Sequence, residues 1–356
     1  MSGARERLIE RIREGGPLPF AEFMEEALYG DGGYYAGERH PVGRGGDYIT
    51  GSSHSPLFGR ATASMLRALD RPLGGVAELV EIGCGSGEHL RAVAAALGEG
   101  DAAAGPRRRI RAWDRVMREI RPVAEPLSGL QALGPRSVRG MVFSYELFDA
   151  LPVHRVVGGA SGPEELLVDL DPRDERYVWR RAMLSDAALG ELLGALGVEL
   201  EVDQIADLSL DWEPLYRRLA ESLARGLLVT ADYGYDGGRL YDPRVRRHGT
   251  LACYREHRVH RDPFAHVGEQ DLTAHVDFDL LRSVGEQTGL TTVAFTRQAL
   301  WLTAAGLFDE LAEADLETRI AAQTLLAPDG MGSDLRVLVQ ARDLDLSSLP
   351  AIGLLV

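Results

Sequence analysis

Glu81-Ile82-Gly83-Cys84-Gly85-Ser86-Gly87 is the stretch that decides the fold of this chain, through the spacing of its three glycines. The apolar run Val76-Ala77-Glu78-Leu79-Val80 leads into it and reads as a buried strand. Beyond it, Leu90, Val93, Ala94 and Leu97 recur on one face of a helical pattern. Strand, glycine turn and helix form the first half of a nucleotide-binding βαβ unit, where glycines let the backbone come close to a ligand. A dinucleotide fingerprint would need a further glycine at position 88, and this chain has Glu88 there. A nicotinamide cofactor is therefore disfavoured.

Strand candidates continue the pattern at 76–82, 108–113, 140–145, 226–233, 291–296 and 335–341, with helices between several of them. That alternation predicts an α/β, doubly wound, Rossmann-like sheet whose ligands sit beyond the carboxyl ends of its strands. Residues 1–70 are expected to form an N-terminal helical lid region, and 71–356 the nucleotide-binding domain. Leu8 and Ile12 mark a first helix, stopped by Gly15-Gly16-Pro17, and Phe20, Phe23, Met24 and Leu28 the buried face of a second. Pro56 opens a third. Between them the segment Gly30–Ser55, rich in glycine, tyrosine and aspartate, is too long for a plain connector, and Tyr34–Thr50 is expected to act as a lid. The interval 153–225 reads as an inserted α+β segment on the substrate side. Alternating runs near 165–170 and 176–183 predict a small β-meander there, followed by helices near 186–197 and 211–225.

The chain has 39 basic and 54 acidic residues, a net charge of −15, and all its Lys/Arg positions are arginine. Such a balance argues against a general nucleic-acid or anionic-membrane surface, because phosphate binding needs clustered positive charge. It is compatible with a basic partner, such as an arginine-bearing protein segment, and solubility alone explains it as well. Two cysteines, Cys84 and Cys253, make neither a disulfide framework nor a zinc site. No stretch approaches the roughly 20 apolar residues of a membrane span, and Met1-Ser2-Gly3-Ala4-Arg5 lacks the apolar core of a signal peptide. The expectation is a cytoplasmic protein.

G-x-G-x-G preceded two residues earlier by an acid resembles motif I of the class I S-adenosylmethionine (SAM) methyltransferases. On that resemblance Glu81, Gly83, Gly85 and Gly87 are expected to bind SAM. Asp114 ends the strand candidate Ile110-Arg111-Ala112-Trp113, where an acid can accept from ribose hydroxyls or cap a helix. In Phe143-Ser144-Tyr145-Glu146-Leu147-Phe148-Asp149 an apolar strand runs into two acids. Glu146 is the candidate catalytic residue, since a carboxylate there can pair with a guanidinium fork, while Asp149 reads as a cap. Asp232-Tyr233-Gly234 closes another apolar strand. Glu269 and Asp271 are further candidate catalytic acids, or acids at the start of a helix. Five of the nine histidines fall between His248 and His275 without a sharp ligand spacing, and no metal is expected.

Together these residues resemble the MidA family of SAM-dependent methyltransferases, related to the mitochondrial arginine methyltransferase that assists complex I assembly. The resemblance spans nearly the whole chain. It includes Gly16 to Met24, Ala27-Leu28-Tyr29, Gly33-Tyr34-Tyr35, Gly43 to Thr50, Pro56 to Gly59, Glu81 to Gly87, Glu146 to His154, Asp232-Tyr233-Gly234, Gly249-Thr250-Leu251 and Gly268 to Phe278. It implies a Rossmann-like core under an N-terminal helical region, SAM as cofactor and methyl transfer to a protein arginine. Asp47 and Thr50 join the expected cofactor-binding residues. The sequence departs from the family at Tyr145, usually asparagine, at Gly51-Ser52-Ser53, usually Ser-Pro-Glu, and in the short stretch Leu130 to Val138. The expected partner is thus a protein presenting an arginine. The alternatives are a small-molecule O- or N-methyltransferase and a SAM-binding assembly factor without catalysis.

Overall fold

A computed structural model describes residues 3–37, 56–98, 108–308, 311, 314–326 and 335–348. The chain separates into two compact units. One is Met1–Ile49 with Phe148–Glu213 and Tyr235–Leu280; the other is Thr50–Leu147 with Pro214–Gly234 and Leu281–Val356. These bounds differ from the expected boundary at residue 70 and the expected insertion at 153–225. The helix Pro56–Ala68 belongs with the glycine loop, whereas the two N-terminal helices belong with the insertion. The insertion itself ends at Glu213, and Tyr235–Leu280 joins it. Apolar periodicity shows which face of a helix is buried, but not what buries it.

The second unit holds the predicted sheet. The strands along its main path, in chain order, are Glu78–Ile82, Ile110–Trp113, Glu125–Pro126, Val138–Tyr145, Leu223–Tyr235, Thr291–Arg297 and Leu335–Arg342. Across the sheet they run third, second, first, fourth, fifth, seventh, sixth. The first five pair in parallel, and the seventh lies antiparallel between the fifth and sixth. The six predicted strands are present; the two-residue Glu125–Pro126 is too short to leave a periodic signal. Strand order reverses between the first and fourth strands, which is where open α/β sheets bind ligands. Phe58, Phe143, Tyr145 and Trp301 form an aromatic cluster in the core, with Phe58 and Tyr145 edge-on at 4.8 Å. The departure at Tyr145 is explained there. Its ring fills that cluster and its hydroxyl donates to Gln298 Oε1 at 2.8 Å.

In the first unit, His154–Gly159, Gly162–Leu170, Tyr177–Ala182, Ile205–Leu208 and the two-residue Leu18–Pro19 make a five-stranded sheet. Leu18 pairs with Val168, stitching the N-terminal segment to the meander. Phe20 and Phe23, on the helix Phe20–Tyr29, pack on Trp179 and Tyr177 at 5.2 and 5.3 Å, and Phe264 closes the group. Asp207 is buried and accepts from Arg155 Nε at 2.9 Å and from the backbone N–H groups of Thr250 and Leu251. The Gly249-Thr250-Leu251 motif therefore wraps a buried carboxylate. A Cβ on Gly249, at φ 74°, would stand 2.4 Å from Asp207 Oδ2. No helix among the described residues is long and apolar enough to cross a membrane.

His275 lies against Tyr235 at 5.4 Å, and the Arg246 guanidinium covers the same tyrosine at 3.8 Å. Its Nδ1 is buried without a hydrogen-bond partner among the described residues. Burial, reinforced by Arg246, lowers the imidazole pKa to about 4. The unfolded chain then binds the extra proton more readily than the folded one between about pH 6.5 and 4. Stability contributed by neutral His275 is complete above that window and is lost as pH falls through it. Urea unfolding from pH 7.5 to 4.5 should show wild type losing about 2–3 kcal/mol more than His275→Gln. Parallel losses in the two proteins would mean that His275 is not the titrating group.

Candidate functional site

The first strand ends at Ile82 and the chain turns through three glycines before the helix Glu88–Leu97. Gly83, Gly85 and Gly87 all have positive φ, at 79°, 51° and 76°. Two features outside the loop hold that shape. Gly83 N–H donates to Trp113 O at 2.8 Å, and Gly85 N–H donates to Asp114 Oδ2 at 2.8 Å. Asp114 Oδ1 also accepts from Val116 N–H at 2.9 Å. Burial raises the Asp114 pKa, against the lowering effect of those two N–H groups. Asp114 thus braces the glycine loop from the end of the second strand, a task its position in the sequence did not reveal. Burial also pushes the Cys84 thiol far up, with Glu81 and Asp114 adding to it, so Cys84 stays a neutral small residue rather than a thiolate.

The loop suits a ligand that needs close backbone approach. Among the described residues a Cβ on Gly85 would meet no atom within 4 Å, so the described part of the loop is open at that point. Glu81 is only 3% exposed and its Oε2 lies 2.7 Å from His89 Nδ1. His89 was not among the expected site residues. Only the tertiary contact reveals it, because a histidine in the first turn of an amphipathic helix carries no spacing signal.

The fourth strand, Val138–Tyr145, runs into Glu146, whose φ is 49°. A left-handed conformation costs a non-glycine residue about 1–3 kcal/mol and persists only where its surroundings enforce it. Here they do. Glu146 N–H donates to Ala231 O at 2.9 Å and Leu147 N–H donates to Asp232 Oδ2 at 3.0 Å. Asp232 is fully buried at the end of the fifth strand. Leu147 in turn covers the glycine loop, since a Cβ on Gly83 would meet Leu147 Cδ1 at 3.0 Å. Gly83 and Glu146, 63 residues apart by numbering, belong to one constellation. Asp232→Ala should free the Leu147 N–H and lower the rate of the transfer the family resemblance implies about 10-fold or more, with affinity for the implied cofactor nearly unchanged. Asp232→Asn, which still presents an accepting oxygen, should recover most of the rate. Full activity of the alanine variant in a labelled-methyl assay would remove Asp232 from this role.

The remaining candidates lie in the first unit. Asp271 is buried, and its Oδ1 accepts from the Tyr35 hydroxyl and from Leu272 N–H, both at 2.9 Å. That gives it a structural task beside the N-terminal helix. Glu269 is solvent-exposed, with Oε2 3.5 Å from Arg255 Nη2. Tyr34 and Tyr35, where the expected lid begins, are tied by their N–H groups to Ala27 O and Leu28 O, and Tyr35 stacks on Tyr29 at 5.4 Å. Asp47 and Thr50, with the rest of residues 38–50 of the expected lid, lie outside the described residues.

A doubly wound sheet with an antiparallel seventh strand, a glycine loop after the first strand and a bracing acid after the second define a class I SAM-dependent methyltransferase. The comparisons agree. Residues 57–296 match the family model described as "Putative S-adenosyl-L-methionine-dependent methyltransferase". The Drosophila melanogaster protein named protein arginine methyltransferase NDUFAF7 homolog, mitochondrial, is 28% identical over 327 residues, covering 80% of this chain and 70% of its own. The Homo sapiens protein arginine methyltransferase NDUFAF7, mitochondrial, is 27% identical over 313 residues, covering 78% and 68%. A Burkholderia thailandensis protein crystallised with S-adenosyl-homocysteine superposes with a TM-score of 0.86 at 29% identity, covering 98% of this chain and 94% of its own. The chain belongs to this MidA-like family of SAM-dependent methyltransferases, and its cofactor is SAM.

Proposed function

We propose that this methyltransferase acts on an arginine side chain of a protein, with Glu146 holding the guanidinium. One observation carries the reading: Glu146 is kept in a left-handed conformation at the end of the fourth strand, pinned by Ala231 and Asp232. Strain maintained at a sheet's ligand-binding edge is spent on what that side chain does. The names of the curated relatives support the substrate class.

When bound, SAM supplies a methyl group on a sulfonium sulfur. Transfer would break the C–S bond as an N–C bond forms to a guanidinium nitrogen, with that nitrogen's proton lost to a neighbouring base or water and the sulfur left as a thioether. The work of the protein is orientation and charge placement. The two carboxylate oxygens of Glu146 accept parallel N–H bonds from the guanidinium and fix its plane. Glu269, exposed beside Arg255, is the candidate for a second acid, ahead of Asp271, whose Oδ1 is engaged by Tyr35. On the cofactor side the reading assigns Glu81, Gly83, Gly85, Gly87 and Asp114, together with Asp47 and Thr50. The test is to incubate the protein with isotope-labelled SAM and a lysate, then to locate the label by mass spectrometry. Label on arginine of a protein is the expected result, and label confined to a metabolite would overturn it.

A further inference from the structure

We propose that His89 is a positioning residue for the amino-acid end of SAM, acting through the carboxylate of Glu81. His89 is 3% exposed, in the first turn of the helix that follows the glycine loop. Both of its ring nitrogens are engaged. Nδ1 lies 2.7 Å from Glu81 Oε2 and Nε2 lies 3.1 Å from Thr62 Oγ1. The Thr62 hydroxyl is itself 3.1 Å from Phe58 O, within the helix Pro56–Ala68. Phe58 stands edge-on to the imidazole at 5.3 Å and Phe143 lies against it at 4.9 Å, so the ring has no freedom to turn. A relay of Thr62, His89 and Glu81 therefore runs from the helix Pro56–Ala68 to the last turn of the first strand.

Such a relay has a chemical consequence for the loop it adjoins. A carboxylate free to rotate offers either oxygen to a ligand at an entropic cost, whereas one held through Oε2 leaves Oε1 in a fixed direction. Glu81 stands where the first strand meets the glycine loop, and Asp114 already occupies the end of the second strand as the loop's brace. A fixed negative group there complements the ammonium of the methionine moiety, the cationic end of the cofactor that is not the sulfonium. The adenosine end has no such cation. Discrimination by Glu81 is thus confined to one end of the ligand. The inference concerns cofactor binding and is independent of the methyl acceptor.

Two ligands and three variants separate this role from a merely structural one. S-adenosyl-homocysteine carries the amino-acid end, and 5′-methylthioadenosine lacks it. His89→Asn places an amide nitrogen near the position of Nδ1 and keeps the Glu81 bond. His89→Gln reaches Thr62 instead and gives up Glu81. Thr62→Val preserves volume and removes the outer link. Isothermal titration should show S-adenosyl-homocysteine weakened about 10- to 100-fold in His89→Gln, the range of a charge-assisted hydrogen bond. It should be weakened severalfold in Thr62→Val and nearly unchanged in His89→Asn. Methylthioadenosine should bind all three as it binds wild type. Equal weakening of both ligands, in His89→Gln or, should that variant not fold, in Thr62→Val, would overturn the proposal in favour of core packing. Unchanged S-adenosyl-homocysteine affinity in the same variants would overturn it outright.

Discussion

Glu146→Gln should leave SAM affinity within about threefold of wild type and lower methyl transfer about 100-fold or more. The substitution keeps size and shape while removing the charge and one of the two accepting oxygens. The backbone of residue 146 is held by Ala231 and that of residue 147 by Asp232, so the left-handed turn does not depend on the side chain that is changed. The fold should therefore survive and the loss should fall on transfer alone. Calorimetric titration of SAM, paired with transfer of a labelled methyl group, distinguishes the outcomes. A matching loss of affinity and transfer would make Glu146 a cofactor ligand. Full activity would end its guanidinium-holding role and favour a small-molecule acceptor.

Gly85→Val should abolish measurable SAM binding, a loss of at least about 100-fold, in a protein that remains folded. Of the three loop glycines, Gly85 is the one at which a new side chain displaces nothing of the protein. Among the described residues a Cβ there meets no atom within 4 Å, whereas Gly83 would crowd Leu147 at 3.0 Å and Gly87 would crowd Ile120 at 2.9 Å. The direct penalty is the strain of a β-branched residue at φ 51°, about 1–3 kcal/mol. Gly85→Ala is the gentler companion, with the same direction of attack and less strain. Circular dichroism establishes the folded state, and titration with S-adenosyl-homocysteine reads the site. Unchanged affinity in both variants would show that the cofactor does not approach this loop.

Much of this was legible in the amino-acid order. The six main strands, the glycine turn and the acids at positions 81, 114 and 146 stand in local patterns, and local patterns report local conformation. Glycine at a left-handed turn and an apolar run four to eight residues long have the same meaning whatever surrounds them. Local pattern also identified the helices Ala4–Gly15, Phe20–Tyr29 and Ala187–Leu196. It did not show that the first two join the meander rather than the helix Pro56–Ala68, because an apolar face does not name its partner.

The same limit applied to the site. Tyr145 reads as a departure from the family motif, yet in the fold it is a core residue donating to Gln298, 153 positions later. Asp271 reads as a candidate catalytic acid, yet its oxygen is taken by Tyr35, 236 positions earlier. His89 carried no signal at all, and its contacts with Glu81 and Thr62 exist only once two helices and a strand have packed together. By itself the sequence determined the class of fold, the cofactor and the position of the acid after the fourth strand, since each rests on spacing within a single turn or strand. Which side chain braces, orients or buries another was decided by tertiary structure alone, because a hydrogen bond depends on distance in space and the chain order records only distance along itself.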